Sequence, residues 1–120
     1  MKYRNLGKQG LKVSELALGS WMTDVSSASK QDLADQRLKL AYSKGINFFD
    51  CADAYSGGAA ERFLGKALKE FPRKELVLSS KVYFPTGPGI NDRGLSRKHI
   101  MESIDQSLTN LQTDYLDLYF

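Results

Sequence analysis

Apolar positions along the 120-residue chain follow two periods that alternate. Residues 2–6 and 11–13 flank Gly7-Lys8-Gln9-Gly10, and a glycine-bracketed turn between short runs predicts a β-hairpin over 2–13. Residues 15–19 form a short apolar run ending in Gly19, which suits a buried strand. After a polar stretch, 23–29, Ser29 is the expected N-cap of a helix over 30–44. Ala34, Leu38, Ala41 and Tyr42 form its apolar stripe, and Gly45 stands where a C-terminal glycine belongs. Residues 46–50 predict the next strand, and a loop with Ser56-Gly57-Gly58 leads to a helix over about 59–69. Its stripe is Ala60, Leu64, Ala67 and Leu68, and Pro72 closes it. Residues 76–81 predict a third strand. A long glycine- and proline-rich loop, 83–95, precedes a helix capped by Ser96 with the stripe Ile100, Ile104, Leu108 and Leu111. Residues 115–120 predict a fourth strand.

After the hairpin the order is β-α-β-α-β-α-β, which implies an α/β fold with a parallel sheet. An open doubly wound sheet and a barrel both fit. A dinucleotide-binding sheet would place G-x-G-x-x-G after the first strand. The nearest run, Gly87-Pro88-Gly89, follows the third strand and lacks the last glycine, so a barrel is favoured. A whole (β/α)8 barrel needs roughly 250 residues, about twice this length.

Composition adds little that would redirect this reading. Hydrophobic residues make up 42% and charged residues 26% of the chain, an ordinary globular balance. The net charge of +3 comes from scattered Lys and Arg without a basic run, which argues against a nucleic-acid partner. Cys51 has no second cysteine to pair with, pointing to a reducing, cytoplasmic setting. No apolar stretch suggests a signal peptide or membrane insertion, and no metal-ligand spacing stands out.

Ligands of parallel α/β folds meet the carboxyl ends of the strands. There the first strand delivers Gly19, Ser20 and Trp21, the second Asp50 with Tyr55 five residues on, and the third Ser79, Ser80 and Lys81. Asp50 and Lys81 lie at the same end of neighbouring strands. A free tyrosine, with a pKa near 10, is a poor proton donor at neutral pH; a lysine ammonium beside it favours the phenolate, and a carboxylate orients the lysine. Such a trio suits general acid catalysis at an oxygen that gains negative charge. Each residue also has a plain structural alternative. Asp50 could cap a turn, Tyr55 and Trp21 could be packing aromatics, and Lys81 could be a solvated surface lysine.

The run Gly45-Ile46-Asn47-Phe48-Phe49-Asp50-Cys51-Ala52-Asp53-Ala54-Tyr55 resembles the signature of the aldo-keto reductase family. Ala60-Glu61-Arg62-Phe63-Leu64-Gly65 resembles its second helix, Ser80-Lys81-Val82 its third strand, and Tyr3-Arg4-Asn5-Leu6-Gly7 with Leu18-Gly19-Ser20-Trp21 its opening. Gly94-Leu95-Ser96-Arg97-Lys98-His99-Ile100 is similar to the branch with voltage-gated potassium channel β subunits and bacterial relatives. The resemblance implies the N-terminal half of a (β/α)8 TIM barrel over residues 1–120, with the C-terminal half absent. It implies Tyr55 as general acid, tuned by Lys81 and Asp50, in an NADPH-dependent reduction of aldehydes and ketones. Ser20, Trp21 and Asp50 would contact the cofactor, NADP, near its nicotinamide and ribose. Glu61 would support the fold, and Cys51, where the family usually has threonine, would pack.

A fourth catalytic residue, histidine in the family and asparagine in some of the channel-subunit branch, would fall about two positions past Phe120. His99, in the first turn of the third helix, is expected on the barrel's outside and takes no catalytic role. Three readings follow from the resemblance. One is half of a carbonyl reductase, inactive as an isolated monomer. Another is a cofactor-binding regulatory module like a channel β subunit, and the third a truncated fragment without function. The expected partners are a small carbonyl substrate, and either a missing C-terminal half or a second copy associating through unpaired strand edges.

Overall fold

A computed structural model of the chain describes residues 1–23 and 25–120. Asp24, in the polar stretch predicted over 23–29, lies outside the described residues.

The chain opens with a hairpin, β1 (Tyr3–Asn5) antiparallel to β2 (Lys12–Ser14), with Tyr3 opposite Ser14. Gly7 and Gly10 take φ of +65° and +79° in its turn, a backbone that glycine adopts without steric cost. Four parallel strands follow: β3 (Ala17–Gly19), β4 (Phe48–Asp50), β5 (Val77–Ser80) and β6 (Leu118–Tyr119). Their spatial order is β3-β4-β5-β6, the same as their order in sequence. A doubly wound sheet reverses direction part-way; this sheet does not, so it is an open arc of the barrel type rather than a closed ring. The helices between its strands are α1 (Ala28–Ser43), α2 (Ala59–Leu68) and α3 (Arg97–Leu111).

The strands are shorter than their apolar runs because only part of each run pairs in regular register. Bonding continues beyond β6, where Phe120 N–H donates to Ser80 O (3.0 Å) and Val82 N–H to Phe120 O (2.9 Å). Helix α1 starts two residues before the expected position. Ser27 takes the extended N-cap backbone, and Ser29 lies inside the first turn instead of capping it. The other end matches expectation. Gly45 at φ +87° donates to Tyr42 O and Ile46 to Ala41 O, the paired bonds of a left-handed C-terminal cap. Ser96 caps α3 as expected, its hydroxyl accepting from His99 N–H at 3.1 Å.

Phe49 and Leu78 from the sheet pack with Leu38, Ala60, Leu64, Leu68 and Leu111 from the helices in one buried cluster. Each large side chain buried there stabilises the fold by about 1.5–3 kcal/mol. The stripes of α1 and α2 face this cluster. That of α3 does so only at Leu111; Ile100, Ile104 and Leu108 are half-buried. The face α3 buries is polar: His99, Ser103, Ser107 and Asn110. His99, expected on the barrel's outside, belongs to the helical layer but is buried there, 2% exposed. The helix is rotated by about one residue so that this polar row turns inward, and Asn110 at its end meets Glu61 of α2. Among the described residues no helix is long and apolar enough to cross a membrane.

Gly65 sets the closest helix contact. A Cβ added there would lie 2.5 Å from the carbonyl carbon and oxygen of Leu111, and backbone cannot give way as a side-chain tip can. Alanine normally favours a helix over glycine by about 1 kcal/mol. Here the clash should outweigh that gain, so Gly65→Ala is expected to lower stability by about 1–3 kcal/mol. Urea denaturation measures it, and an unchanged or raised midpoint would contradict this account of the α2–α3 contact.

Candidate active site

The parallel pairing sets Gly19 opposite Asp50 and Asp50 opposite Ser79, so three strands end at one level. Side chains alternate along a strand, so Ser79 and Lys81 share the face that Asp50 presents, while Ser80 turns to the other. The Lys81 ammonium donates to Asp50 Oδ2 at 2.7 Å and to the Cys51 carbonyl at 2.6 Å. The Ser79 hydroxyl donates to Asp50 Oδ1 at 2.6 Å. Both carboxylate oxygens thus have a partner, yet the Asp50 side chain keeps 27% of its surface open to solvent.

Tyr55 is brought to the same place by the chain that leaves β4. Its N–H donates to Ala52 O at 3.1 Å, and it starts a short 3-10 turn, Tyr55–Gly58, in which Ser56 and Gly57 take φ of 50° and 59°. The left-handed backbone at Ser56 is uncommon for a residue with a side chain. It reverses the chain sharply enough for α2 to begin directly after the turn. Lys81 Nζ stands 5.0 Å from the Tyr55 ring centroid, close enough for a cation to feel the ring's negative face. Trp21 lies beside Tyr55, its ring centroid 6.4 Å from that of Tyr55 at an interplanar angle of 30°. The indole is 72% exposed.

The structure thus brings Asp50, Lys81, Tyr55 and Trp21 together. Ser20 takes a supporting place: it is buried, and both its N–H and its hydroxyl donate to Asp50 O, at 2.9 and 3.0 Å. The Ser79 bond to Asp50 and the Cys51 carbonyl bond to Lys81 were missed in the sequence. Alternation signals the first, since Ser79 lies two residues before Lys81; a backbone acceptor leaves no sequence signal. Among the described residues no cluster of His, Cys, Asp and Glu could hold a metal ion.

A second polar cluster fills the space between the other face of β5 and helices α2 and α3. Glu61, fully buried, accepts from the Ser80 hydroxyl at 2.7 Å and from Asn110 Nδ2 at 2.9 Å. Burial raises the pKa of Asp53, with the Glu61 charge adding to the rise. Burial likewise pushes the Tyr119 phenol up to about 12, helped by the charges of Asp53 and Glu61.

Cys51 packs in the core, where burial pushes its thiol up to about 11. The ordinary thiol value is 9.0, so the folded state keeps the proton that the unfolded state gives up. This contribution to stability is intact below pH 9.0 and is lost between there and about pH 11. Cys51 is expected to ignore an aromatic disulfide reagent at pH 8 and to react promptly once urea unfolds the chain. Rapid reaction of the folded protein would contradict its burial.

Residues 15–120 match the sequence profile of the family described as Aldo/keto reductase family. A protein of Arabidopsis thaliana named as a probable voltage-gated potassium channel subunit beta is 43% identical over 122 residues, an alignment covering 100% of this chain and 37% of the relative. A solved structure of the thermostable aldo-keto reductase Tm1743, in complex with the inhibitor epalrestat, superposes with a TM-score of 0.83 at 35% identity, covering 99% of this chain and 42% of that one. The aldo-keto reductase AKR11C1 from Bacillus halodurans, in its holo form, gives a TM-score of 0.82 at 36% identity, covering 99% and 39%. The chain spans about two fifths of the length of these proteins.

Proposed function

The chain belongs to the aldo/keto reductase family, and from that premise we propose that it supplies the proton-donor side of an NADPH-dependent carbonyl reductase. The observation that carries this reading is the Lys81 ammonium, bonded to Asp50 at 2.7 Å and facing the Tyr55 ring at 5.0 Å. Asp50 and the Cys51 carbonyl aim Lys81; Lys81 in turn sets a positive charge over the Tyr55 ring, where it would favour a phenolate. Tyr55 would give its hydroxyl proton to a carbonyl oxygen as that oxygen gains negative charge. The ammonium would stabilise both oxygens across the transfer.

The residues present suit the nicotinamide end of the cofactor. Trp21 offers an exposed aromatic face beside Tyr55, and the solvent-open part of the Asp50 carboxylate can accept from sugar hydroxyls. Ser20 would act from behind, by fixing the Asp50 backbone. When bound, the cofactor supplies the two electrons and the hydrogen that reduce the carbonyl carbon. The substrate is a small aldehyde or ketone, and the protein works in a reducing cytoplasm. A second reading, a cofactor-sensing subunit, is favoured by the name of the Arabidopsis relative; it keeps the same site but turns over slowly or not at all.

In the protein expressed from its whole gene, Tyr55→Phe is expected to lower kcat for an aldehyde by about 10²–10⁴-fold, the usual worth of a positioned acid. NADPH affinity, followed by its fluorescence, should stay within about threefold, or ~0.7 kcal/mol. Lys81→Met should act similarly. Full activity in Tyr55→Phe would remove the reductase reading, and tight NADPH binding without turnover in the unmutated protein would replace it with the sensing one.

A further inference from the structure

We propose that Glu61 is a positioning residue for Lys81 and Tyr55, and this rests on the reading of those two as the proton-donor pair. The hydrogen bonds of the Lys81 ammonium go to Asp50 and Cys51, both at the end of β4. Tyr55 sits apart, on a turn with three left-handed residues in succession, Ser56, Gly57 and Gly58. That turn runs straight into α2, and the first turn of α2 carries Glu61. From there Glu61 Oε1 reaches the hydroxyl of Ser80, the residue next to Lys81, at 2.7 Å. The Glu61–Ser80 bond thus closes a loop through Tyr55, α2, β5 and Lys81. The loop before the tyrosine turn is tied to the lysine strand by backbone bonds, Cys51 N–H to Ser79 O at 3.0 Å and Asp53 N–H to Lys81 O at 3.3 Å. The Glu61–Ser80 bond adds a directed side-chain tie on the far side of Tyr55, from α2.

The other carboxylate oxygen accepts from Asn110 Nδ2, which ties α3 into the same frame. Glu61 is fully buried, and both of these donors are neutral. Such a carboxylate is expensive to bury, and an apolar residue of similar size often serves stability better. A role confined to packing therefore explains Glu61 poorly. The helix N-terminus offsets part of the expense, since its positive end favours a carboxylate in the first turn. Burial and the Glu61 charge both raise the pKa of Cys51 just after β4, of Asp53 in the following loop and of Tyr119 in β6.

The test uses the protein expressed from its whole gene, with Glu61→Ala, Ser80→Ala and Glu61→Gln. Leu68→Ala, at the far end of α2 in the apolar cluster, is the control for general loosening. Three quantities are read: the melting temperature, kcat and KM for an aldehyde with NADPH, and the 13Cζ-tyrosine NMR signal of Tyr55, assigned by its loss in Tyr55→Phe. A displacement of under an ångström or so is costly in catalysis, so Glu61→Ala and Ser80→Ala should lower kcat about 10-fold or more, with KM within about twofold. Both should also displace the Tyr55 signal. Glu61→Gln, which keeps an oxygen for Ser80, should restore kcat and the signal towards those of the unmutated protein. Leu68→Ala should lower the melting temperature and leave the Tyr55 signal and kcat in place.

An undisturbed signal and kcat in both alanine variants would overturn the proposal, as would equal changes in Leu68→Ala. Should Glu61→Ala fail to fold, Ser80→Ala decides, because it deletes the same bond by removing one oxygen atom. Loss of turnover in the unmutated protein would count against the reductase reading alone. The NMR signal would still report whether Glu61 holds Tyr55 in place.

Discussion

Lys81 meets Asp50 because β4 and β5 run parallel in a register that sets Asp50 opposite Ser79. Everything at the site depends on that register. A slip of one residue would turn every side chain of β5 to the opposite face, sending Lys81 towards α2 and Ser80 towards Asp50. The register is held at both ends of the strand pair by polar contacts. At the carboxyl end, Ser79 and Lys81 both bind the Asp50 carboxylate. At the amino end of β5, Val77 N–H donates to Asn47 O at 2.7 Å, while on the other edge of β5 Leu78 N–H donates to Asp117 Oδ2 at 2.8 Å and ties the strand to β6. Asp117 also pairs with Arg73 at 2.8 Å. The buried Val77 and Leu78 side chains keep water from these bonds while specifying little about position; the polar contacts specify position.

The same division of labour holds on the helical side. Gly65 lets α2 and α3 approach until backbone nearly touches backbone, and that closeness carries Asn110 within reach of Glu61. A larger residue at Gly65 would move α3 outward and strand the buried carboxylate, so one small residue decides whether a polar interior is affordable. The rotation of α3 follows from this. Its apolar stripe is only half-buried because the adjacent row, with His99, Ser103, Ser107 and Asn110, has to face the Glu61 side.

These two halves differ in how far the sequence discloses them. Element order, helix stripes in α1 and α2, the Gly45 cap and the Ser96 cap were legible because each is written in local spacing. Asp50 and Lys81 were legible as partners because topology fixes which strand ends are neighbours. The face of α3 was not. Ile100, Ile104, Leu108 and Leu111 make a regular stripe, and the periodicity rule chooses them over a row of Ser, His and Asn. What overrules the rule is a carboxylate 49 positions away from Asn110 in sequence, information that no window along α3 contains. The early start of α1 belongs to another class. Serines stand at positions 26, 27 and 29, and any of them could take an N-cap backbone, so composition alone leaves the start ambiguous.

The Lys81–Asp50 pair itself adds little to stability. Its side chains are 32% and 27% exposed, and ion pairs open to solvent contribute about 0–1 kcal/mol. Its value is orientational: a short, doubly bonded ammonium has one direction to face, and that direction lies over the Tyr55 ring. The fold's stability comes instead from the apolar cluster around Phe49 and Leu78, against which Tyr55 packs but which Asp50 and Lys81 do not enter. Substitutions at Lys81 or Asp50 can therefore remove chemistry while leaving the fold nearly intact, and substitutions at Leu38 or Leu68 do the reverse. Glu61 is the residue where this separation fails, since it is buried in the structural half and bonded to the strand that carries the reactive one.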